Sequence, residues 1–98
     1  MASILGKVWT IYDATEESPF QSGDEVEITK DAKVKFGTKE WPGQYLEVKD
    51  KVVVASVIGE YWEFTGSETL NGKLTMYGLR WSSTLPDAMG TWVSDPQG

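Results

Sequence analysis

No stretch of this chain long enough to form a helix repeats its apolar residues at helical spacing; short alternating runs take their place. Val8-Trp9-Thr10-Ile11-Tyr12 is β-branched and aromatic, and reads as a strand ending at Asp13. Glu25 to Thr29 and Lys33 to Phe36 alternate, which predicts a hairpin with Val26, Ile28, Val34 and Phe36 facing inward. Tyr45 to Lys49 alternates again and turns at Asp50. Val52 to Ile58 is apolar on both sides except at Ser56, the pattern of a central strand covered on both faces. Tyr61 to Thr65 places Trp62 and Phe64 on one face. Asn71-Gly72, between Leu70 and Lys73, is the preferred dipeptide of a two-residue hairpin. The strand after it is expected to run past Gly78, with a bulge or bend there, to Trp81. Gly90 to Val93 makes a last strand, and Asp95 to Gly98 reads as a tail.

Three longer segments read as loops: Ala14 to Gly23 with Pro19, Gly37 to Gln44, and Ser82 to Met89. In the second, Pro42-Gly43 fits the two central positions of a type II turn. In the third, Leu85 to Met89 is the one candidate for a helical turn. A chain of 98 residues corresponds to a single domain with one core. The expectation is therefore an all-β domain spanning residues 1–98, with about seven or eight short antiparallel strands and little or no helix. Such strands must close into a small barrel or pack as a sandwich to hide their edges.

Five tryptophans and the absence of both histidine and cysteine set the functional expectation. Without His or Cys, the common tools of acid–base, nucleophilic and transition-metal chemistry are missing. Paired carboxylates offer little in their place: Glu60 and Glu63 fall on opposite faces of one strand, and Glu63 and Glu68 would pair only if the tertiary fold brought them together. Asp13, Glu16, Glu17 and Asp24 lack the spacing of a calcium loop. No catalytic residue, metal or cofactor is assigned, and the chain is not expected to be an enzyme. Gly72 and Gly78 precede no helix and form no phosphate loop.

The net charge of −6 and the lack of any Lys/Arg run argue against nucleic acid or an anionic membrane as partner. The longest apolar run, Val52 to Ala55, is too short to span a bilayer. Met1 to Lys7 carries no basic flank followed by an apolar stretch, so no signal peptide is expected. A soluble protein follows, with the cysteine-free composition favouring a reducing, cytoplasmic setting.

The aromatic residues remain as candidates for binding. Core packing is the first reading of any strand Trp. Trp41, beside Pro42-Gly43 in an expected loop, is the best placed for exposure. Trp81 follows, with Arg80 before it and serines after it. Together with Trp62, Tyr77 and Arg80 these form the candidate ligand-binding set, a stacking surface for a carbohydrate or a small apolar ligand. The alternative is a protein-interaction module, either a small acidic inhibitor or a subunit of an oligomer.

Two short resemblances accompany this reading. Gly90-Thr91-Trp92 resembles the Gly-x-Trp signature of lipocalin and avidin barrels. There the motif opens the barrel, whereas here it lies at the last strand, and Gly6-Lys7-Val8-Trp9 is one residue too long. Ser18 to Gly23, Val53-Val54-Ala55 and Thr69 to Gly72 resemble segments of small cyanobacterial mannose-binding agglutinins. The tandem Trp-Gly-Gly repeats of those lectins are absent, so no sugar-binding residue carries over.

Overall fold

A computed structural model describes residues 3–47, 50–55, 60–82 and 90–97. Eight strands follow in order: β1 (Lys7–Ala14), β2 (Glu25–Ile28), β3 (Lys33–Phe36), β4 (Lys39–Leu46), β5 (Lys51–Ala55), β6 (Glu60–Glu68), β7 (Leu74–Ser82) and β8 (Gly90–Ser94). Each pairs antiparallel with its chain neighbour, and β1 pairs with β8, so the sheet closes into a barrel. Among the described residues no helix is long and apolar enough to cross a membrane. The expected Leu85–Met89 turn lies outside the described residues, as do Ser56 to Ile58.

Closure depends on two strands that change partners halfway. Residues 7–10 of β1 pair with β2, and the strand then turns to β8 through an irregularity between Ile11 and Asp13. On the opposite side, residues 39–42 of β4 pair with β3 and residues 43–46 with β5. The expected type II turn is therefore a strand corner. Gly43 has no positive φ, and Pro42 sits where the strand leaves one ladder for the next, so its missing N–H costs little. Glycine is required at the corner because a Cβ on residue 43 would lie 2.5 Å from the Ala32 carbonyl oxygen. Trp41 consequently belongs to a strand, not a loop.

The alternation places one row of side chains inside. Trp9, Ile11, Val26, Ile28, Val34, Val52, Val54, Phe64 and Met76 are all buried, and Trp92 joins them. Val53, on the outer side of β5, is only half-buried, so this strand is one wall of a barrel and not a layer covered on both faces. One end is shut by the segment before β1. Ile4 is buried there, and its carbonyl accepts the Trp9 indole N–H at 3.2 Å.

Two hairpins at that end share one design. Thr29 and Thr69 each bond, through backbone N–H, to the carbonyl of the lysine four residues on, at 2.8 and 2.7 Å. Their hydroxyls accept that lysine's N–H at 2.9 and 3.1 Å. The third loop residue is left-handed in both, Ala32 at φ 64° and Gly72 at φ 78°. The Asn71-Gly72 turn is thus a three-residue loop ending in a glycine bulge, in place of the expected two-residue turn. In the first hairpin Thr29 also donates to Asp31 at 2.7 Å, and this bond holds the Asp31 carboxyl below its usual range.

Gly78 shows no bulge; it keeps regular register with Phe64 and Trp92. Its role is space. A Cβ there would lie 2.2 Å from the Glu63 carbonyl oxygen and 2.4 Å from Trp92 Nε1. The expected C-terminal tail is also tied down, with Gln97 bridging Leu74 at 2.7 and 3.2 Å. Gly78→Ala is expected to cost about 1–3 kcal/mol by overpacking. Gly72→Ala, in open space at positive φ, should cost about 1 kcal/mol. Urea unfolding measures both, and equal stability of Gly78→Ala and the parent would refute the packing role.

Candidate functional site

Every loop at the other end joins a strand that finishes there to one that starts there. β1, β3, β5 and β7 end at this rim, and β2, β4, β6 and β8 begin at it. The segment from Thr15 to Asp24 crosses part of the opening. It is tied to β8 by Thr15 N–H to the Thr91 carbonyl and Thr91 N–H to Thr15 Oγ1, both 2.9 Å. Gly90 permits this approach, since a Cβ there would lie 2.3 Å from Ser18 N.

Ser18 shapes the segment further: its hydroxyl donates to the Phe20 carbonyl at 2.7 Å and accepts the Phe20 N–H at 3.1 Å. Phe20 is turned down into the barrel and is 2% exposed. Its ring meets Phe36 and Trp92 edge to face at centroid distances of 4.9 and 4.8 Å, and Trp62 at 5.7 Å. Such contacts add about 0.5–1.5 kcal/mol each beyond area burial. Sequence reading placed Phe20 in a loop and missed it as the plug; the one signal was an apolar ring in an otherwise polar segment.

Beside the plug, toward β3 and β4, no described residue covers the end. A depression of about 410 Å³ lies there, bounded by Pro19, Phe36 and the Gly37-Thr38 turn. Trp41, Trp62 and Lys39 complete its lining. Gly37 has φ 63° while Thr38 does not, the pattern of a tight type II′ hairpin that brings β4 straight back along β3. Trp41 and Trp62 meet at 4.6 Å with their planes 60° apart. Trp62 is almost wholly covered, and Trp41 is half-buried against the core. Trp62 is held by its indole N–H, which donates to Glu60 Oε1 at 2.9 Å. Arg80 Nη1 stands 3.4 Å from the same oxygen, so one carboxylate links indole and guanidinium.

The candidate set thus divides. Trp41, Trp62 and Arg80 face the open end, with Arg80 connected through Glu60. Tyr77 and Trp81 lie on the outside of the barrel wall: Tyr77 is 43% exposed, and Trp81 stacks on Tyr61 at 5.3 Å and 17°. The division follows from strand parity, since Arg80 and Trp81 are adjacent on one strand and point to opposite faces. Inside, Trp92 is 3% exposed, and its N–H finds no acceptor among the described residues. Two carboxylates of the first loop bond its own backbone, Asp24 Oδ2 accepting the Gln21 N–H at 2.8 Å and Asp13 Oδ1 accepting the Ala14 N–H at 2.9 Å.

Comparison with protein-family models, with curated proteins and with solved structures finds no match.

The indoles should differ in accessibility to an aqueous quencher. Trp41→Phe is expected to remove much of the acrylamide-quenched fluorescence, while Trp9→Phe should leave the quenched component unchanged. Loss of the quenched component in the Trp9 variant instead would contradict the placement of both rings.

Proposed function

We propose that this protein is a non-catalytic binding module that receives a carbohydrate or a small apolar ligand at the open end of its barrel. The observation that supports the reading is the aromatic-walled depression formed by Phe36, Trp41 and Trp62. The barrel interior is filled by Trp9, Phe64, Met76 and their neighbours, so a ligand sits at the mouth and does not enter the barrel. Half-covered indole favours a flat apolar face, which a sugar ring or a small planar molecule presents. Glu60 orients Trp62, and Arg80 holds Glu60, so the wall is ordered before a ligand arrives.

A second reading, a surface for a protein partner, draws on the outer wall. Tyr61, Trp81, Leu79, Tyr77 and Val93 lie there on adjacent strands, and the one acidic residue among them, Glu63, is paired with Lys51 at 2.9 Å. The two readings predict different sensitivities. Ligand titration followed by tryptophan fluorescence should lose tenfold or more in affinity in Trp41→Ala and stay unchanged in Tyr77→Glu. If no glycan or apolar ring compound binds and no indole is open to quencher, the mouth reading is wrong. A Tyr77→Glu change that abolishes a concentration-dependent rise in solution mass would favour the outer wall.

A further inference from the structure

Among the described residues, the depression at the barrel mouth carries one charge, and it is positive. Lys39 follows the Gly37-Thr38 turn and shares its side of β4 with Trp41, two residues on. Ion pairs among the described residues engage Lys33, Lys35, Lys51 and Arg80, but not Lys39. Its sequence neighbour Glu40 points to the other side of the strand. There it is occupied by Lys33 at 3.8 Å and Lys35 at 3.6 Å. Across the mouth, Glu60 and Arg80 neutralise each other.

Lys7, Lys30 and Lys73 also have no ion pair among the described residues, but Lys39 is the one of these four that lines the depression with two indoles. A neutral ring placed over Trp41 strips water from this ammonium and returns at most an uncharged hydroxyl acceptor. A ring bearing an anionic group returns a stronger, charge-assisted hydrogen bond, and gains the Coulomb attraction in a partly dehydrated site. We propose that the mouth selects a small ring-bearing anion, with the ring on Trp41 and Trp62 and its carboxylate on Lys39. This rests on the binding reading above and narrows it to a ligand class. A space of about 410 Å³ holds one or two rings with a short acidic arm, and aromatic acids and sugar acids share that chemistry.

Matched titrations separate the possibilities. The probes are 2-naphthoate against 2-naphthalenemethanol, and galacturonate against galactose, each followed by tryptophan fluorescence at low and high salt. The acid of at least one pair should bind about two- to fivefold tighter than its neutral partner, the range of an exposed ion pair. Added salt should shrink that margin. Lys39→Gln should abolish it without weakening the neutral compound, and Lys39→Glu should reverse it. Whichever pair shows the margin identifies the source, aromatic acid or sugar acid. Neutral and acidic probes binding equally, or a preference that survives Lys39→Gln, would overturn the proposal and leave the mouth as a binding site. No binding by any of the four would overturn both.

Discussion

The structure depends on two strands, β1 and β4, each bending from one ladder into the next so that eight short strands leave no open edge. An exposed edge would present a row of unpaired N–H and C=O groups, and a chain of 98 residues has little material to cover one. At β4 the bend needs Pro42, which has no N–H to lose, and Gly43, which has no side chain to collide with Ala32. At β1 it needs the irregularity between Ile11 and Asp13. Each corner is a local departure from regular strand geometry, and together they turn a sheet into a barrel.

Closure fixes the interior volume, and the sequence fills that volume with rings. Trp9 seals the end closed by Ile4, while Phe20, Phe64 and Trp92 fill the other end in mutual edge or tilted contact. Large side chains need backbone room, which explains two glycines. Gly78 gives way to the Trp92 indole, and Gly90 lets the Ser18 backbone pass. Because the interior is full, any recognition is pushed to the rim, where Phe36 and Trp62 touch the plug and, with Trp41, wall the depression beside it.

Charge is distributed along the same division of the barrel. The outer faces of β2 and β3 carry Glu25, Glu27, Lys33 and Lys35, whereas the outer face of β7 carries Thr75, Tyr77, Leu79 and Trp81. At the mouth the Glu60–Arg80 pair balances itself and serves to orient Trp62, and Lys39, which lines the depression, has no ion pair among the described residues. These differences within one small molecule carry more functional information than its net charge of −6.

Alternation along each run determined the all-β class, the inward rows at Val26/Ile28, Val34/Phe36 and Trp62/Phe64, and the strand at Gly90, because a period of two is a local property of the chain. The missing His and Cys are legible in the same way. Turn detail was less so: Asn71-Gly72 and Pro42-Gly43 have the composition of turns, but the loop length of one and the strand corner of the other are set by what pairs across them. The candidate site was half legible. Trp41, Trp62 and Arg80 share the open end, yet Tyr77 and Trp81 point outward, since proximity in sequence says nothing about which wall of a barrel a residue faces. Only the tertiary structure decided between barrel and sandwich, put Phe20 inside and set Lys39 beside Trp41 and Trp62 at the depression. Each of these depends on contacts between segments distant in the chain, and no local pattern encodes them.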